Sequence, residues 1–164
     1  MSAELTGEQR LRDLFDRDEI TTRMITYARA LDAHDWDRLT EVFTPDAFAD
    51  YEIAGSNDGL DEIIETCKTA LCGLTSSQHL VGNFVVDVNG DVATGSCYLH
   101  AQHFLVSGSG VNTFVVAGTY TDQWIRTDQG WRIKHRHLST TWTDGNAGIF
   151  AEAAARLESG EASK

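Results

Sequence analysis

Two polar residues, Asp32 and His79, stand at the ends of apolar segments and together could perform acid–base chemistry. Asp32 closes a helical pattern beside Leu31, where the negative end of a helix dipole disfavours a carboxylate. His79 opens a strand pattern after a Ser/Thr-rich loop. A carboxylate bonded to an imidazole fixes its tautomer and raises its basicity, so the pair would form a general base if the fold joined them. Taken alone, His79 is better explained as a strand-end histidine bonded to the backbone.

A second histidine, His103, lies on an otherwise apolar strand face. Strand alternation puts it on the same side as Cys97, Leu99 and Ala101. His103 is therefore a candidate polar group facing the core. It is either satisfied there by hydrogen bonds or available to a ligand.

The last strand pattern carries Arg136 on one face, and His135 and His137 on the opposite face. The two histidines could begin a metal site, but a lone His-x-His pair without an evident third ligand is a weak signal. We therefore predict no metal and no other cofactor. Phosphate-cradle and nucleophile-elbow motifs are not recognised either.

These side chains must be positioned by helices that come first and strands that come later. Helical spacing predicts helices over residues 8–15, 18–33 and 60–71, with a further helix that begins after Asp35 and is stopped by Pro45. In the second helix Ile20, Met24, Tyr27 and Leu31 form one apolar stripe.

Strand patterns occupy most of the second half. A short strand is predicted over residues 47–53, residues 55–59 are predicted as a loop, and four long strands follow over residues 80–88, 92–106, 111–126 and 131–142. Asn89-Gly90 between the first two long strands is a strong hairpin signal. Segregated helices and strands indicate an α+β fold, in which an antiparallel meander curls over the helices and leaves a cavity.

Size and charge limit the function classes. The 164 residues fit one domain, which we predict over residues 1–148, followed by a tail over 149–164 that is a short helix or disordered. A net charge of −12 disfavours nucleic acid and anionic membranes as partners. Three cysteines without a paired spacing are typical of reduced thiols, so we expect a cytoplasmic protein.

Five segments together resemble SnoaL-like proteins of the nuclear transport factor 2-like superfamily. They begin at Tyr27, Phe43, His79, Gly118 and Gly130, and read YARALDAHDW, FTPDA, HLVGN, GTYTD and GWRI. The resemblance covers residues 12–148 and implies a cone-shaped α+β fold. Hexachlorocyclohexane dehydrochlorinase is the nearest likeness, with bile-acid 7α-dehydratase and scytalone dehydratase close to it.

The resemblance implies roles for particular residues. Asp32 and His79 would form the catalytic dyad of the dehydrochlorinase, and Arg136 would stabilise the leaving group. Tyr27 precedes Asp32 by five residues, as a tyrosine precedes the aspartate of the bile-acid enzyme, and would stabilise the developing negative charge. Substrate contacts are expected from four further residues, namely His103, Tyr51, Tyr120 and Leu99.

The implied function is a cofactor-independent lyase that catalyses β-elimination on a small cyclic or polyketide-like substrate. Two alternatives stay open: an isomerase or cyclase that uses the same base, and a non-catalytic small-molecule binding module. The outer sheet face mixes Tyr98, His100 and Gln102, which is typical of an interface, so we expect a homo-oligomer, a dimer or trimer.

Overall fold

The computed structural model describes residues 6–107 and 110–160. Within these residues, three α-helices, six strands and two short 3-10 helices follow one another. In order they are α1 Gly7–Ala33, a 3-10 helix Trp36–Glu41, β1 Phe43–Asp50, a 3-10 helix Glu52–Ala54, β2 Ser56–Asp58, α2 Leu60–Leu71, β3 Ser76–Asn89, β4 Val92–Ser107, β5 Gly110–Thr127, β6 Gly130–Gly145 and α3 Ile149–Ser159.

Helix α1 is one continuous helix, so the predicted break between residues 15 and 18 is wrong. It begins with a capping box in which the Gln9 amide donates to the Thr6 hydroxyl at 3.2 Å. Asp16 continues the helix because its carboxylate is bonded to both terminal nitrogens of Arg126 at 2.7 Å and to the Trp131 indole at 3.0 Å. The apolar stripe predicted for the helix is buried as expected.

The segment after α1 differs from the predicted third helix. Only a 3-10 helix forms, and it ends at Glu41, because Val42 already pairs with β6 through the Ile133 amide at 2.7 Å. Pro45 lies inside β1, where the register between β1 and β6 shifts and no ladder donor is required. The predicted loop over residues 55–59 contains the short strand β2, which pairs with β1.

The six strands form one curved sheet in the order β2-β1-β6-β5-β4-β3. Strands β3 to β6 are an antiparallel meander with the predicted hairpin at Asn89-Gly90, and β1 joins β6 in parallel. Irregular pairing between β3 and β4 and between β5 and β6 bends the strands. The predicted α+β class, a curved and unclosed sheet with N-terminal helices, is confirmed.

Helix α3 packs into the same core as the rest of the chain. Ile149 and Ala153 are buried. The Ala153 backbone lies so close to Gly73 that a Cβ atom on residue 73 would collide with the Ala153 carbonyl oxygen. The short helix that was one of the two alternatives for residues 149–164 therefore forms over Ile149–Ser159 and contributes to this core. Residues 161–164 lie outside the described residues. No helix in the described part of the chain is long and apolar enough to cross a membrane.

Candidate active site

A cavity of about 550 Å³ lies between the curved sheet and the three helices. Its walls are mainly apolar and come from α1, α2, the central strands and α3. Volumes of this size suit one small organic ligand. The polar side chains that line the cavity include one group with His79 and His103 and a second group with Tyr27 and Tyr51.

Asp32 and His79 are directly bonded. Asp32 Oδ1 lies 2.6 Å from His79 Nδ1, and Asp32 Oδ2 accepts from the His79 backbone amide at 2.9 Å. The Ser77 hydroxyl donates to Asp32 Oδ1 at 3.1 Å. This arrangement places a hydrogen on Nδ1 and leaves Nε2, on the opposite edge of the ring, as the basic nitrogen.

The two partners have different exposure. The His79 side chain is 6% exposed and lines the cavity, whereas Asp32 stands behind it at the end of α1. Burial raises the pKa of Asp32, but the hydrogen bonds from His79 and Ser77 and the His79 charge outweigh it, so the pKa lies below its ordinary value. Asp32 is therefore a carboxylate at neutral pH and can stabilise an imidazolium on His79.

His103 is placed beside His79. The two rings meet edge to face with centroids 5.7 Å apart, and Phe150 of α3 packs on the other side of His103 at 5.0 Å. His103 Nδ1 lies 3.1 Å from the Phe114 carbonyl oxygen. Burial, and then the charge of His79, lower the pKa of His103 to about 4. His103 is therefore a neutral imidazole at neutral pH.

A tyrosine cluster, defined as Tyr27, Tyr51 and Tyr120, forms the second polar region. The Tyr27 hydroxyl donates to the Tyr51 oxygen at 2.9 Å and lies 4.0 Å from Cys67 Sγ, while the Tyr120 ring packs edge to face on Tyr27. Burial raises the pKa of all three phenols, and it raises that of the Cys67 thiol to about 11. The three phenols of the cluster are therefore neutral at pH 7.

Arg136, which was expected to stabilise the leaving group, is not among the residues that line the cavity. Its guanidinium forms two bonds to Asp122 at 2.8 and 2.7 Å, and both side chains are completely buried. The guanidinium carbon lies 4.3 Å from the Tyr27 ring centre and 4.2 Å from that of Tyr120. Burial alone would lower the pKa of Arg136, but Asp122 raises it well above its usual value.

A family model described as the SnoaL-like domain matches residues 12–137. The chain belongs to the SnoaL-like family. Over 125 residues this SnoaL-like protein is 34% identical to an uncharacterised protein of Mycobacterium tuberculosis, with 76% of this chain and 84% of the relative covered.

Several solved structures have the same fold as this SnoaL-like protein. One is a Novosphingobium aromaticivorans protein described as an aromatic ring hydroxylase, with a TM-score of 0.73, 27% identity and coverage of 84% and 97% of the two chains. A protein described as a scytalone dehydratase from the same organism has a TM-score of 0.72 at 23% identity, covering 82% and 89%. A hexachlorocyclohexane dehydrochlorinase of Novosphingobium barchaimii has a TM-score of 0.68 at 19% identity, covering 85% and 94%.

Most of the candidate site residues predicted from the sequence line this cavity. His79, Tyr27 and the four expected substrate contacts line it, namely His103, Tyr51, Tyr120 and Leu99. Sequence reasoning missed Cys67, Phe150 and Asp122. Cys67 lies within the predicted helix over residues 60–71, where nothing in the sequence distinguishes it from the apolar residues, and Phe150 lies in the predicted tail. Asp122 could have been found from its charge, since it is the cross-strand neighbour of Arg136.

Proposed function

We propose that this SnoaL-like protein is a cofactor-independent enzyme that catalyses β-elimination, in particular dehydration, on a small cyclic or polyketide-like substrate. The observation that carries the proposal is the hydrogen-bonded Asp32–His79 pair, whose histidine lines an apolar cavity. The pair is a general base with a carboxylate that orients it and stabilises its protonated form.

In the proposed reaction, His79 Nε2 removes a proton from the carbon next to a substrate carbonyl. Negative charge then develops on the carbonyl oxygen, and the Tyr51 hydroxyl donates to it while Tyr27 supports Tyr51 through their shared hydrogen bond. The C–O bond at the β-carbon breaks, and the proton held by His79 passes to the departing hydroxyl. The products are an unsaturated carbonyl compound and water, so atoms and charge balance.

Arg136 supports this reaction without touching the substrate. Its guanidinium lies against the rings of Tyr27 and Tyr120 and fixes both, because the contacts are close on each side. We therefore assign Arg136 and its partner Asp122 a positioning role.

A test substrate with these features is 3-hydroxy-1-tetralone, an uncharged bicyclic β-hydroxy ketone that gives fluorescent 1-naphthol on loss of water. We expect release of 1-naphthol by the wild-type protein, and loss of this activity in His79→Ala and Asp32→Asn. Conversion without loss of water, found by mass spectrometry, would favour the isomerase or cyclase. Binding of the ketone without conversion would favour the non-catalytic binding module.

We also propose that the protein is a cytoplasmic homo-oligomer, a dimer or trimer, assembled through the outer sheet face. Tyr98 and Trp142 are 60% and 49% exposed on that face, and exposed aromatic side chains are enriched at protein–protein interfaces. The three cysteines carry free thiols, as expected in a reducing compartment. Light scattering should give a multiple of 18.1 kDa, and a monomer at working concentration would contradict the proposal.

A further inference from the structure

The mouth of the cavity lies between α2 and the 3-10 helix Glu52–Ala54. The exposed residues of the cavity wall come from these two elements, namely Ile53, Ala54, Glu65 and Thr69. Ile53 is 79% exposed, the largest exposed fraction among the described bulky apolar side chains. Contact with water is unfavourable for this side chain, and an apolar ligand in the mouth would displace that water. The short 3-10 helix therefore lies where a ligand must pass.

This short helix forms the tip of the β1–β2 hairpin, and the residues on either side of it can act as hinges. Tyr51 precedes the tip and is held in the cavity wall by its bond to Tyr27, while Gly55 follows it with a φ of 88°. The Tyr51 amide donates to the Gly55 carbonyl oxygen at 3.0 Å, which closes the base of the tip. Glu52 has a φ of 49°, a left-handed conformation that is unfavourable for a residue with a side chain. The position of the tip must therefore be stabilised by other contacts.

The bond between the Glu52 carboxylate and the Thr140 backbone amide ties the tip to the rest of the sheet. Glu52 Oε2 accepts from this amide at 2.8 Å. The amide is available because β1 pairs with β6 only as far as Asp50 and His137, and no strand of the described residues covers this edge of β6 at Thr140. The bond lowers the pKa of Glu52 below its ordinary value, so the acceptor is charged at neutral pH. This bond, the Glu52–Thr140 latch, is therefore charge-assisted.

We propose that the 3-10 helix Glu52–Ala54 is the gate of the cavity, held closed by the Glu52–Thr140 latch and opened when the latch breaks. In the latched position Ile53 and Ala54 form part of the cavity wall, so movement of the tip away from β6 widens the mouth. The unfavourable backbone conformation at Glu52 favours opening and the latch opposes it, so the two states are balanced against each other. The inference goes beyond the proposed β-elimination, because it needs only a cavity that binds an apolar ligand.

Stopped-flow fluorescence with 1-naphthol, an uncharged bicyclic probe, measures the rates of entry and release. Glu52→Ala removes the latch, so we expect the association and dissociation rate constants to rise together, each at least threefold. Glu52→Gln, whose amide oxygen can still accept from Thr140, should give rate constants between those of Glu52→Ala and the wild-type protein. Ile53→Ala keeps the latch but removes the apolar contact with the probe, so only the dissociation rate constant should rise.

The matched control is Glu62→Ala. The Glu62 carboxylate accepts from the Asp58 backbone amide at 2.9 Å, a bond of the same kind at the other end of the hairpin, between residues that do not line the cavity. The rate constants of this variant should equal those of the wild-type protein. Unchanged rate constants in Glu52→Ala, an equal rise in Glu62→Ala, or a rise of the dissociation rate constant alone in Glu52→Ala would overturn the proposal. Failure of 1-naphthol to bind the wild-type protein would overturn it as well.

Hydrogen exchange followed by NMR tests the latch without a ligand. Exchange of the Thr140 amide should be at least tenfold faster in Glu52→Ala than in the wild-type protein and unchanged in Glu62→Ala, whereas equal exchange in all three proteins would overturn the proposal. Circular dichroism checks that each variant is folded. Neither measurement depends on turnover. Gated binding without dehydration would remove the proposed function and leave the gate intact, and dehydration with unchanged binding rates in Glu52→Ala would do the reverse.

Discussion

Replacing His103 by glutamine should flatten the loss of stability that the wild-type protein suffers in mild acid. Glutamine can still donate to the Phe114 carbonyl but does not titrate. In the folded protein the pKa of His103 is about 4, below its usual value of 6.5, because burial penalises the imidazolium. As the pH falls below 6.5, His103 therefore becomes protonated in the unfolded chain but stays neutral in the folded protein, and the free energy of unfolding decreases.

The sign and size of the effect follow from these two pKa values. The stabilisation is fully present above pH 6.5, is lost as the pH falls towards 4, and does not fall further once both states are protonated. At about 1.4 kcal/mol per pH unit, His103 accounts for about 3 kcal/mol of unfolding free energy across this window. The ring is almost fully buried, so solvent screens little of this effect.

Urea unfolding at pH 7, 5.5 and 4 measures the effect. The wild-type protein should lose about 3 kcal/mol more than His103→Gln between the highest and lowest pH. Val116→Ala is the matched control, because it removes packing from the same cavity without removing a titrating group. Its profile should be lower than that of the wild-type protein but parallel to it. Parallel profiles for the wild-type protein and His103→Gln would refute the reasoning.

Two further predictions concern the buried ion pair and the third helix. Asp122→Ala should lower the unfolding free energy by roughly 3–5 kcal/mol, because it leaves Arg136 charged and unpaired, and chemical denaturation of the double variant with Arg136→Met should show a smaller loss. Gly73→Ala should release α3, because the added Cβ would collide with the Ala153 carbonyl, and hydrogen exchange of the α3 amides should speed up. Gly82→Ala, where a Cβ meets nothing within 4 Å, is its control, and equal exchange in both variants would contradict the prediction.

Local patterns were sufficient for much of the fold. The apolar stripe of α1 and the Asn89-Gly90 hairpin depend on residues close in sequence, and both are found as predicted. The continuity of α1 could not be predicted, because Asp16 is tolerated inside it only through Arg126, which lies 110 residues away. Contacts at that separation leave no periodic signal.

The same difference between local patterns and contacts distant in sequence applies to the candidate site. Alternation along β4 placed His103 towards the interior, and family resemblance paired Asp32 with His79. The burial of Arg136 could not be predicted from β6 alone, because it depends on a carboxylate across the neighbouring strand. The role of α3 was missed because its small, alanine-rich sequence resembles a solvent-exposed end, whereas Phe150 reaches the cavity.

If Asp32 and His79 form a working general base, the protein should catalyse proton exchange next to a carbonyl group. With 1-tetralone in D₂O, NMR follows exchange of the hydrogens next to the carbonyl, a step that needs the base and no leaving group. We expect the wild-type protein to exceed the buffer rate, and both His79→Ala and Asp32→Asn to lose about 10²–10⁴ of that acceleration while staying folded. Exchange that survives in both variants, or a wild-type rate no faster than buffer, would show that Asp32 and His79 do not act as the general base.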